Sequence, residues 1–186
     1  MLYRIKKIWY YIIGYSNIFS EEGIVMEDKE KGAFPDSYPK DFLERIKQDG
    51  AGQNEYADVY RISENGECNR DAFLCSRIKN NNNQGMDRDS YLASKRENQE
   101  YDVSEWSTSC WKKLKPAKNI YFLKERRNHS PSMLKGTIFS HTGYSIISTQ
   151  RESVRKGLYK ARADHIDWWI FKDIDVSEYF KIMEDY

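Results

Sequence analysis

The sequence predicts an α+β fold: a single domain with a short, mainly antiparallel sheet and a few flanking helices. Three observations lead there. The 186 residues are close to the length of one domain. Two segments with helical apolar spacing are followed by several short pieces rich in β-formers and separated by turns. No internal repeat, heptad run or uninterrupted βαβ alternation is present, which disfavours a doubly wound sheet. The 14 Tyr, 8 Phe and 5 Trp supply large side chains for a core in a chain that is only 39% hydrophobic, with a mean hydropathy of -0.86.

Residues 1–25 read as a doubtful arm or a mis-called start. Arg4, Lys6 and Lys7 precede an apolar run as in a signal peptide, but Tyr10, Tyr11 and Tyr15 dilute it and no A-x-A site follows. A membrane span would need roughly 18 apolar residues, so none is expected. Glu21-Glu22-Gly23 can be encoded by a purine run like a ribosome-binding site, suitably placed before Met26, which implies a bacterial source. From Met26 the chain reads as the domain proper.

Pro35 to Pro39 supplies a turn, after which Phe42, Leu43 and Ile46 mark one face of a short helix ending near Gly50. YADVYRI follows as a strand with Ala57, Val59 and Arg61 on one face and Tyr56, Asp58, Tyr60 and Ile62 on the other. Ser63 to Gly66 turns the chain, and Arg70 to Ile78 has the spacing of a helix carrying Phe73, Leu74 and Ile78 inward. The Asn-rich stretch beginning at Asn80 predicts a mobile loop over 79–90. YDVSEWSTS, NIYFL, KGTIF, GYSIIST and HIDWWIFKDI then read as strands, and Val176 to Met183 as a closing helix. In the last strand Trp168 and Trp169 face opposite sides, so with a single core Trp168, aligned with Ile166 and Ile170, is the one expected inside.

Cys68, Cys75 and Cys110 form no C-x-x-C pair, and an odd number suits free thiols in a reducing compartment, hence a cytoplasmic location. His129, His141 and His165 do not combine with them at zinc-ligand spacing, so no metal is expected. The net charge of +1 argues against a generic polyanion binder. Charge is nonetheless segregated. Lys112 to Arg127 holds seven basic residues against Glu125, whereas 163–186 holds seven acidic residues against Lys172 and Lys181. The two blocks suit mutual pairing, and the basic one suits an anionic ligand.

Motifs for the common phosphate cradles and for serine hydrolases are missing. His165 and Asp167, two apart in a strand, share a face with Trp169 and Phe171; a carboxylate there can fix the imidazole tautomer for a general base, though no nucleophile for it is identifiable.

Arg61 at a strand end, Ser107-Thr108-Ser109 and Gln150-Arg151-Glu152 occur in an order that resembles the R-S-E pattern of ADP-ribosyltransferases. The resemblance implies that Arg61 holds NAD phosphate, Ser107 braces the cleft, Glu152 binds the ribose hydroxyl and Gln150 orients the acceptor. In that chemistry a fixed carboxylate stabilises the oxocarbenium-like cation formed as the nicotinamide bond breaks. The residues thus suggest an interaction module needing no cofactor, with an unknown protein or anionic ligand at Lys112–Arg127. The alternative is an NAD-dependent transferase.

Overall fold

Period-two alternation in the last long strand governs the architecture, because both of its faces are apolar and both need cover. The computed structural model describes residues 32–75, 77–78, 101–127 and 129–184. Residues 1–25, the Asn-rich loop at 79–90 and their predicted states lie outside these. Nine elements carry the fold: α1 (Phe42–Gln48), β1 (Tyr56–Ser63), β2 (Thr108–Trp111), α2 (Leu114–Glu125), β3 (Ser132–Ile138), β4 (Gly143–Ile147), α3 (Glu152–Arg155), β5 (His165–Ile170) and β6 (Phe180–Ile182). The strands form one sheet in the order β4-β5-β2-β1-β3-β6, every pairing antiparallel. The predicted α+β class is therefore the observed one.

One face of the sheet carries Val59, Cys110, Leu134, Ile166 and Trp168, covered by Phe73 of a short 3-10 helix, Arg70–Phe73, and by Phe180. The opposite face is covered at its two ends. Over β4 and β5, α1 inserts Phe42 and Ile46 against Ile146 and Trp169. Over β1, β2 and β3, α2 packs Ala117, with Ile120 and Tyr121, against Ile62, Trp111 and Met133. Trp168 and Trp169 are consequently both fully buried. The expectation that only one could be inside assumed one core; a sheet covered on both faces has two.

Four segments differ from the sequence reading. NIYFL is helical, being the middle of α2: Ala117, Ile120 and Tyr121 follow the i, i+3, i+4 spacing, and Pro116 sits in the first turn where its missing N–H is harmless. YDVSEW forms a 3-10 helix, Val103–Trp106, whose cap Asp102 accepts a hydrogen bond from Ser104 N–H, and the strand begins only at Thr108. The closing helix is instead a 3-10 turn, Ser177–Tyr179, leading into β6 beside β3. There Gly136 pairs with Phe180, and a Cβ on Gly136 would lie 2.3 Å from the Tyr179 carbonyl oxygen, so only glycine admits this strand. Likewise Arg70–Phe73 is a single 3-10 turn rather than a longer helix, capped by Asn69.

A bulge between Tyr56 and Val59, with Asp58 at φ 53°, interrupts the alternation in β1. Ala57 is left exposed while Val59 and Arg61 remain on the buried face. Further along, β1 meets β2 at Tyr60 and Trp111, and Arg61 ties the two strands together beyond that point. Among the described residues no helix is long and apolar enough to cross a membrane.

Candidate functional site

Polar residues of β2 and β5 occupy the strip between the two helix-covered patches. Register pairs Ser109 with Asp167 and Trp111 with His165, so these four side chains and Ser107 share one face. A cleft of about 570 Å³ opens over this strip, and the C-terminal half of α2 and the segment before β5 complete its walls.

The floor is a hydrogen-bonded chain. Ser148 Oγ lies 2.6 Å from His165 Nδ1, and Asp167 Oδ1 lies 3.5 Å from the same nitrogen. Ser107 Oγ is 3.0 Å from Asp167 Oδ1 and 2.9 Å from the Ser104 carbonyl, sharing its one proton between them. The second oxygen of Asp167 faces Arg151 Nη1 at 3.4 Å. Arg151 is itself buried, donating through Nε to Asp49 at 2.6 Å and through Nη2 to Asp102 at 2.5 Å. Burial alone opposes the guanidinium charge, but Asp167, Asp102 and Asp49 outweigh it, so Arg151 is held above the usual arginine value. The opposite holds for His165. Burial pushes its pKa down, Asp167 raises it, and Arg162, Arg61 and Arg151 lower it further; the balance lies below the usual histidine value, which favours the neutral imidazole.

Arg61 lines the same cleft but is already committed. Its guanidinium donates to the carbonyl oxygens of Ala72 at 2.8 and 3.1 Å and of Ser109 at 2.7 Å. Burial lowers its pKa, with Cys110, Glu64 and Cys75 opposing. Cys68, Cys75 and Cys110 are free thiols, and burial pushes Cys110 up to about 12 against the pull of Arg61. Neither chemistry nor access makes Cys110 a nucleophile.

The residues implied by the R-S-E resemblance divide. Arg61 and Ser107 line the cleft together. Glu152 lines a separate depression of about 290 Å³, where its carboxylate pairs with Arg155 at 3.6 Å and Lys156 at 3.4 Å, and Gln150 is exposed and lines neither. The residue between them, Arg151, is the one that reaches the cleft. Sequence reasoning passed over it because its three carboxylate partners are 16 to 102 positions away, so no local spacing betrays them. The His165–Asp167 pair, by contrast, followed directly from strand alternation.

The basic segment Lys112–Arg127 contributes Lys124 to the wall, where it pairs with Glu64 at 2.8 Å. Lys113 meets Asp164 of the acidic block at 3.1 Å, so the two blocks do touch. Two other cations of the cleft, Lys160 and Arg162, are exposed and form no ion pair among the described residues. Among the described residues no group of three or more His, Cys, Asp or Glu side chains is placed to hold a metal ion. No family model, curated protein or solved structure matches this chain.

Proposed function

We propose that this chain is a binding module that captures an anionic ligand in the cleft above β2 and β5. The observation that carries this reading is the state of the cleft's cations. Arg61 is tied to backbone carbonyls, Lys124 pairs with Glu64 and Arg151 with three aspartates, whereas Lys160 and Arg162 line the same space and form no ion pair among the described residues. Ser104 and Ser109 also line the cleft, and their hydroxyls are donors that suit phosphate or carboxylate oxygens.

A titration of the full chain with inorganic pyrophosphate, followed by calorimetry, tests it. Saturable binding should weaken about tenfold or more in a Lys160→Glu/Arg162→Glu variant, the loss of one or two charge-assisted hydrogen bonds. Lys181→Glu on β6 should leave it unchanged. Absence of heat at millimolar pyrophosphate would contradict the reading.

The second reading, NAD-dependent ADP-ribosyl transfer through Arg61, Ser107 and Glu152, draws support from one observation: Arg61 and Ser107 line a common cleft. It requires NAD to bind, nicotinamide to be released and Glu152→Gln to abolish that release. Binding of pyrophosphate without binding of NAD would leave the module and remove the transferase.

A further inference from the structure

The cleft contains two of the chain's three histidines. His165 rises from β5, and His129 stands exposed in the segment between α2 and β3, both lining the same space as Lys124, Lys160 and Arg162. We propose that the cleft cleaves RNA, with His165 and His129 as the acid–base pair of an internal phosphoryl transfer whose nucleophile is the substrate's own 2′-hydroxyl. The inference rests on the anionic-ligand reading of this cleft and adds a substrate class and a reaction to it.

The orientation of His165 is the first support. Ser148 and Asp167 both lie at Nδ1, and the carboxylate draws the ring proton to that nitrogen. The lone pair is then on Nε2, which makes no hydrogen bond with a described residue, and His165 lines the cleft. A neutral imidazole with a fixed tautomer is what a general base requires, and burial keeps His165 neutral.

The second support is the state of the hydroxyls. Ser148 is buried and turned to Nδ1, and Ser107 is buried and bound to Asp167 and the Ser104 carbonyl. Both orient other groups instead of presenting an oxygen to a ligand. A base, an acid and cations that form no ion pair among the described residues fit a substrate that brings its own nucleophile, and a ribose 2′-hydroxyl beside a phosphodiester is such a group.

In the reaction, neutral His165 removes the 2′-hydroxyl proton as O2′ bonds to phosphorus. The bond from phosphorus to O5′ breaks, and His129, as the acid, gives a proton to the departing O5′. One proton is taken up and one returned, no atom changes oxidation state, and the products are a 2′,3′-cyclic phosphate and a free 5′-hydroxyl. Lys160 and Arg162 would hold the phosphate's non-bridging oxygens as charge gathers on them.

The test incubates the full chain with an end-labelled single-stranded RNA oligonucleotide in EDTA. The expected result is cleavage leaving 2′,3′-cyclic phosphate termini, with His129→Ala and His165→Gln each at least about 100-fold slower, the usual scale of one acid–base group. His129 is exposed, so its replacement leaves the fold intact, and a thermal melt checks His165→Gln. The all-2′-deoxy oligonucleotide should stay uncut. RNA that binds but is not cut overturns the inference and leaves the binding module standing; failure of both RNA and pyrophosphate to bind overturns both. Cleavage that persists in His129→Ala and His165→Gln, or that cuts the deoxy strand, also overturns it.

Discussion

Arg151 concentrates the residue-scale physics of the molecule. It is 2% exposed and faces three carboxylates from three distant parts of the chain: Asp49 after α1, Asp102 before the 3-10 helix and Asp167 in β5. Desolvating an arginine is costly, and only partners arranged at hydrogen-bonding distance offset it. The arrangement fixes Asp167, which in turn meets Ser107 and sits beside His165, so the cleft floor inherits its geometry from a buried ion cluster. Replacing Arg151 by Ala should therefore cost about 3 to 5 kcal/mol, because Asp49, Asp102 and Asp167 would be left without their shared cation. Arg155→Ala, on the exposed side of α3, should change stability by no more than about 0.5 kcal/mol. Urea unfolding of the two variants checks this, and similar midpoints for both would contradict the assignment. Lysine is not an adequate substitute at 151, since one ammonium cannot reproduce the three-way fork.

At the scale of elements, β5 shows what alternation can and cannot reveal. The sequence placed Trp168 and Trp169 on opposite faces, as they are, and put His165 beside Asp167. It also marked α1 and its stop near Gly50, which adopts φ +91°. What alternation could not show was that helices cover the second face, since Phe42, Ile46 and Ala117 reach it from distant segments. NIYFL was misread for a related reason. The four apolar or aromatic letters after Asn119 suit a strand and a helix equally, and the packing of Ile120 and Tyr121 on β1 to β3 decides between them. The two tryptophans should differ in one respect. Trp169 Nε1 donates to the Val103 carbonyl at 2.9 Å, whereas Trp168 Nε1 is buried without a hydrogen bond. Trp168→Ala and Trp169→Ala should each cost about 3 to 5 kcal/mol. Trp169→Phe should cost about 1 to 3 kcal/mol more than Trp168→Phe, for the carbonyl it leaves unpaired. Thermal or urea denaturation reads the difference, and an equal cost for the two Phe variants would contradict it.

For the whole molecule, a net charge of +1 conceals a local arrangement. Most of the cleft's cations are consumed internally, by Glu64, by three aspartates and by backbone carbonyls, and the small remainder at Lys160 and Arg162 gives the cleft its polarity. The charge runs were legible in the sequence, and one of their contacts, Lys113 with Asp164, follows them. The cleft itself was not, because it depends on Ser107, Ser148 and Arg151 arriving beside His165 through the strand order β4-β5-β2-β1. The central claim is that this cleft, and not the depression beside Glu152, receives the ligand. Pyrophosphate titrated into isotopically labelled full-length protein, followed by NMR, tests it most directly. The account predicts saturable shifts at the His165 ring, the Trp111 indole and the Arg162 amide, with Lys156 and Leu158 unmoved. Shifts confined to Lys156, Leu158 and Tyr159, or none at all, would contradict it.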